Sequence, residues 1–345
     1  MSMLAAFISG CAGETLSDAE WRFFEDARPA GLILFQRNIR TPEQVKALIA
    51  RYHDAVGRDD LLVLVDQEGG RVQRLKPPHW RQLPSAAAFG VRYASDPDGA
   101  VAAARAVSQL AARELAALGF TVNCVPVLDL PVPGAHQVIG DRAYGHDIER
   151  VVALGRAVCE GTMAGGMLPV IKHIPGHGRA NQDSHLTLPV IEDSLETLRA
   201  TDFAPFKALA GMPLGMTAHV LITALDQSET ASTSPLIVDE IIRGEIGFDG
   251  LLMCDDLSMK ALRGSTGDKA RRAIAAGCDI VLHCNGDMAE MVDVAANVPE
   301  LEGEAERRFL AALARRKPSP AFDATAALAQ LDEINALGAT LTARA

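Results

Sequence analysis

The sequence predicts a single (β/α)8 TIM-type barrel, and three observations carry that prediction. Short apolar runs recur eight times, each followed by an amphipathic, alanine-rich stretch. Polar residues gather at the C-terminal ends of those runs, which in a barrel converge on one face. The length of 345 residues is routine for a barrel and long for one ordinary domain. A doubly wound open sheet is the alternative arrangement of the same pattern.

The runs are, in order, AAFISG, GLILFQ (31–36), LLVLVD (61–66), FTVNCVPVLDL (120–130), MLPVIKH (167–173), LGMTAHV (214–220), GLLMCDD (250–256) and DIVLHC (279–284). Each is nearly continuous in apolar residues, as strands buried on both faces are. Helical patterns lie between them, among them TPEQVKALIARYHDAV and DPDGAVAAARAVSQLAARELAALG. The second opens on an Asp-Pro signal and closes at Gly119. After the last run only about 60 residues remain, helical in pattern and broken by KPSP at 317–320. That is too little for a second α/β domain. Residues 1–345 are therefore read as one catalytic barrel with a helical C-terminal extension from about 300.

Apolar residues make up 48% of the chain, enough for a large core. The net charge of −11, with no long basic block, argues against nucleic acid or an anionic membrane as main partner. No apolar run approaches the roughly 20 residues of a membrane span. Six cysteines, none in a C-x-x-C pair, read as reduced thiols of a cytoplasmic protein. ISGC (8–11) superficially resembles a lipoprotein cleavage box, but no Lys or Arg precedes Arg22, so the run is read as a first core strand. No cofactor is expected, and a monomer is the default.

Four stretches carry candidate chemistry. VDQEGGRVQR (65–74) ends the third run, and its two glycines allow a tight backbone path. Its Asp66 and Arg74 suit a polyol, because both make charge-assisted hydrogen bonds to hydroxyls; a strand-end salt bridge is the plainer reading. VIGDRAYG (138–145) offers Arg142 in a glycine-flanked loop. GLLMCDD ends on two adjacent aspartates, of which alternation lets only one point into a barrel mouth. Asp255 is taken as that one, with Asp256 nearer the N-cap of a following helix.

The fourth stretch, KHIPGHGRANQDSH (172–185), spaces His173, His177 and His185 as H-x3-H-x7-H. A metal site and a proton-transfer site both use such residues. Pro175, Gly176 and Gly178 forbid the helix that would put His173 and His177 on one face. In an extended segment Asp183 and His185 share a side, so the carboxylate can hold one ring nitrogen and leave the other for proton transfer. His177 is read as structural.

Taken together the chain resembles glycoside hydrolase family 3, within it the bacterial β-N-acetylhexosaminidases of peptidoglycan recycling. The resemblance spans roughly residues 5–300 and rests on GLILFQRN, LLVLVDQEGGRVQR, VIGDRAYG, VIKHIPGHGRANQDSHLTLP, MTAHV and GFDGLLMCDDLSM. It implies Asp255 as nucleophile and His185 as general acid/base supported by Asp183. It implies sugar contacts by Asp66, Arg74, Arg142, Lys172 and His173, and no metal. The implied reaction is retaining release of terminal β-linked N-acetylglucosamine from small muropeptide carbohydrates. A metal-dependent hydrolase and a phosphorylase on the same scaffold are the alternatives. Cys254 departs from the family's usual Ser or Thr beside the nucleophile, where a lost hydroxyl hydrogen bond would alter the carboxylate.

Overall fold

All eight apolar runs become strands of one closed parallel barrel, in a computed structural model that describes residues 3–184 and 186–342. They are β1 (Ala5–Ser9), β2 (Pro29–Leu34), β3 (Leu62–Val65), β4 (Val122–Asn123), β5 (Leu168–Ile174), β6 (Leu214–Thr217), β7 (Leu251–Asp256) and β8 (Ile280–His283). Every strand pairs with its neighbours in sequence, and β8 closes onto β1 at Phe7–Val281. The open-sheet alternative is thereby excluded. Because all pairs are parallel, the eight C-terminal ends lie on one face.

Alternation along each strand divides the apolar side chains. In β7, Leu251 and Met253 pack in one cluster, while Leu252 and Cys254 join another that holds Ile241, Phe248 and Ala273 of the surrounding layer. Local signals set the helices between strands. Thr41 caps Pro42–Val56 through the Gln44 N–H at 3.2 Å, and Gly57, at φ 71°, ends it. Asp96 caps Pro97–Ala116 through the Gly99 N–H at 3.0 Å.

Beyond the barrel, helix Gly303–Leu313 gives way at KPSP, where proline removes helix donors, and helix Ala324–Thr342 follows. This last helix packs on Ala86–Ser95 and Pro97–Ala116. An Arg92–Glu333 ion pair and a bond from Asn335 Nδ2 to the Gln82 carbonyl at 3.0 Å hold it there. All six cysteines are buried and unbridged. Among the described residues no helix is long and apolar enough to cross a membrane.

Candidate active site

Past the end of β3 the chain makes a short hairpin, Gln67–Gly69 paired with Val72–Gln73. The turn needs glycine: Gly69 has φ 96°, and a Cβ there would lie 2.1 Å from the Pro84 carbonyl oxygen. Gln67 pins the hairpin down. Its Oε1 accepts the N–H groups of Arg74 and Leu75, both at 3.0 Å, and its own N–H donates to Asn123 Oδ1. Gln67 thus ties both arms of the hairpin together.

The hairpin feeds a line of alternating charges. Arg74 Nη2 donates to Asp66 Oδ2 at 2.9 Å, and Lys172 Nζ donates to Asp66 Oδ1 at 2.9 Å. The same Nζ reaches Glu68 Oε1 at 2.7 Å, and Arg142 grips Glu68 with Nε and Nη2, each at 2.8 Å. Burial pushes both carboxyls up, but the cations outweigh it. Lys172 and Arg74 hold Asp66 well below the usual carboxylate range, and Arg142 with Lys172 brings Glu68 down to about 2. Burial acts to lower Lys172, and the two carboxylates override it and raise it. Such paired ions present donors and acceptors in fixed directions.

At the end of β5, Asp129 organises two histidines. Its Oδ2 takes His173 Nδ1 at 2.7 Å and its Oδ1 takes the His177 backbone N–H at 2.7 Å. That bond puts the proton on His173 Nδ1 and leaves Nε2 as its other nitrogen. The Lys172–His173 and Ile174–Pro175 peptides are cis. Gly178 is required because a Cβ there would lie 2.1 Å from the Leu130 carbonyl oxygen. Arg179 then anchors the loop to Asp202 at 2.6 Å and Asp193 at 2.9 Å. Farther on, the Ser184 carbonyl accepts the Ala261 N–H at 3.2 Å, and Val190–Ile191 pairs with Leu221–Ile222.

Asp255 is 8% exposed at the end of β7, and among the described residues its one hydrogen bond comes from the Asp256 N–H at 2.8 Å. Burial pushes its carboxyl up, yet the nearby His173 and His219 hold it below its ordinary value. Asp256 does not cap a helix. Its carboxylate closes the turn that follows, accepting the N–H of Ser258 and that of Cys284, both at 3.0 Å. The next helix, Thr266–Ala276, starts ten residues later with Ser265 as its cap. Cys254 lies on the opposite side of β7 from the cavity, in the apolar layer against the helices.

These groups surround a cavity of about 450 Å³, a size suited to a small molecule. Asp66, Arg74, Arg142, Lys172, His173, Asp183 and Asp255 all line it, so seven of the eight residues singled out in the sequence come together. His185, the eighth, lies outside the described residues. Sequence reasoning missed Glu68, and it placed Asp129 at a strand end without giving it a role. A signal existed for each: Glu68 sits two residues from Asp66 on an extended segment, and Asp129 ends an apolar run. It also set aside His177, which lines the cavity with its Nδ1 buried and without a partner among the described residues. Burial, then His173, lowers its pKa to about 4, so the ring is neutral. Among the described residues no group of three or more His, Cys, Asp or Glu side chains is placed to hold a metal ion.

Residues 12–316 match the glycosyl hydrolase family 3 N terminal domain. A β-hexosaminidase of Alkalilimnicola ehrlichii is 42% identical over 287 residues, covering 82% of this chain and 81% of that one. Another, of Aromatoleum aromaticum, is 37% identical over 90% of this chain and 88% of its own. Among solved structures, NagZ of Neisseria gonorrhoeae, in complex with N-trifluoroacetyl-D-glucosamine, is similar at a TM-score of 0.83 and 33% identity, covering 98% of this chain and 97% of that one. The barrel and its site thus define a glycoside hydrolase. The chain belongs to glycosyl hydrolase family 3.

Proposed function

We propose that this β-N-acetylhexosaminidase is a retaining exo-enzyme. It releases terminal non-reducing β-linked N-acetylglucosamine from muropeptide fragments of the N-acetylglucosaminyl-1,6-anhydro-N-acetylmuramic acid type, in cytoplasmic peptidoglycan recycling. The observation that carries the retaining reading is Asp255, a buried carboxylate kept ionised at the mouth of the barrel, with only one hydrogen bond among the described residues. A carboxylate so lightly bonded keeps its nucleophilicity. The neighbouring wall of Asp66, Arg74, Lys172 and Arg142, with His173, supplies directional partners for sugar hydroxyls. The gonococcal relative's complex with an N-acylated glucosamine supports the choice of sugar.

In this reading Asp255 attacks the anomeric carbon while His185 protonates the departing oxygen. A covalent glycosyl-aspartate results, and His185 then takes a proton from the attacking water. Asp183 orients His185. Their loop, moored at Arg179 and at Ser184–Ala261, closes over bound sugar. The barrel and its C-terminal helices act as one catalytic unit, with a monomer as the working form.

The test is hydrolysis of nitrophenyl β-N-acetylglucosaminide, repeated with a chelator and with phosphate. Release of N-acetylglucosamine, unchanged by chelator, supports the proposal. Loss of activity to chelator would support the metal reading, and N-acetylglucosamine 1-phosphate formation the phosphorylase. Anhydro-muropeptide cleavage then tests the natural substrate.

A further inference from the structure

We infer that Glu68 is a positioning residue for the sugar, holding Arg142 and Lys172 in the geometry that the substrate meets. This rests on the proposed reading of the cavity as a sugar site. Glu68 side-chain exposure is 7%, and both of its oxygens are occupied by cations. Arg142 spends one whole edge of its guanidinium on Glu68, and its Nη1 meets the Val138 carbonyl at 3.3 Å. Lys172 has three N–H donors; Asp66 and Glu68 take two, which leaves one for a ligand. Glu68 therefore decides which donors of two flexible side chains remain for substrate, and in which direction.

Two physical effects follow. Arg and Lys side chains are rich in rotamers, and freezing them on binding costs affinity; Glu68 freezes them beforehand. Glu68 also separates like charges. Without it, Arg142 would lose its ion pair, Lys172 would keep only the pair with Asp66 that it shares with Arg74, and Arg142 would repel Lys172. Removing the charge therefore loosens both cations together, although Glu68 itself is aimed at them and not at the reacting carbon.

A second support comes from the same hairpin. Arg71 donates to Asp141 Oδ1 at 2.7 Å and to the carbonyls of Gln137, Val138 and Ile139. The 137–142 loop is thus tied to the hairpin twice, once by backbone through Arg71 and once by Arg142 through Glu68. The Arg71 tie fixes where the loop lies, and the Glu68 tie fixes where the guanidinium points.

The experiment compares wild type, Glu68→Gln and Glu68→Asp on the nitrophenyl substrate, with thermal melts of each. Glu68→Gln should raise KM about 10–100-fold, the range for a lost outer partner of a binding group, with a smaller fall in kcat. Glu68→Asp keeps the charge at shorter reach and should give a smaller rise, about threefold or more. A folded Glu68→Gln with KM within about twofold of wild type overturns the inference. So does an equal loss in both variants that falls on kcat alone. If Glu68→Gln does not fold, Glu68→Asp is read directly, and an unchanged KM in that folded variant overturns the inference. Failure of the wild type to cleave the substrate would instead reject the functional reading, so the two failures are distinguishable.

Discussion

Asp129 ties His173 and His177 together, accepting the Nδ1 proton of the first and the backbone N–H of the second, each at 2.7 Å. One buried carboxylate therefore sets both the tautomer of a cavity histidine and the path of the loop that follows it. Substituting Asp129→Ala should lower kcat/KM about 10–100-fold, the usual cost of losing an outer orienting group. Asp129→Asn, which still accepts one bond, should lose less. Steady-state kinetics with a melting curve separates this from simple unfolding.

Acid should destabilise the protein in two stages, with His177 contributing to the upper and Glu68 to the lower. His177 has a folded pKa of about 4 against an ordinary 6.5, so the unfolded chain binds more protons between those values. Stability should fall as pH drops from 6.5 to 4 and lose nothing further from this group below that. Glu68 is depressed from 4.5 to about 2, so its contribution is present above pH 4.5 and is lost as pH falls towards 2. Denaturant midpoints measured across pH should show a shallower upper stage in His177→Leu, because buried His219 is also lowered and still contributes, and should keep the lower one.

His185→Ala should cut turnover about 10²–10⁴-fold, the range for general acid/base help. The loss should be smallest for nitrophenol, which needs little protonation to leave. Equal losses across good and poor leaving groups would remove His185 from the acid/base role.

Cys254→Ser should leave kcat within about threefold, because the side chain faces the helix layer and not the cavity. Its stability should also change little, by about 1 kcal/mol or less, because the Leu282 backbone that hydrogen-bonds the Cys254 side chain is there for a serine hydroxyl. A large kcat change in a variant of wild-type stability would contradict that placement.

The barrel was legible because its strands are buried on both faces and so read as unbroken apolar runs, from AAFISG to DIVLHC. Asp255 and Lys172 were legible because a barrel exposes its strand ends to one mouth. Glu68, the role of Asp129 and the neutral state of His177 were not. Each depends on what a side chain meets across the fold: Glu68 meets Arg142 and Lys172, and Asp129 meets His173 across a separation of 44 residues. Sequence spacing carries no such distance. Asp256 was misplaced for the same reason, since its partner Cys284 comes from the neighbouring strand end and no helix follows at once.

The most direct measurement is trapping with a 2-fluoro sugar bearing a good leaving group, followed by peptide mass mapping. The expected result is one sugar per chain, bound to Asp255. A label on Asp256, or no label on an enzyme that turns over the parent glycoside, would contradict the covalent mechanism proposed for this site.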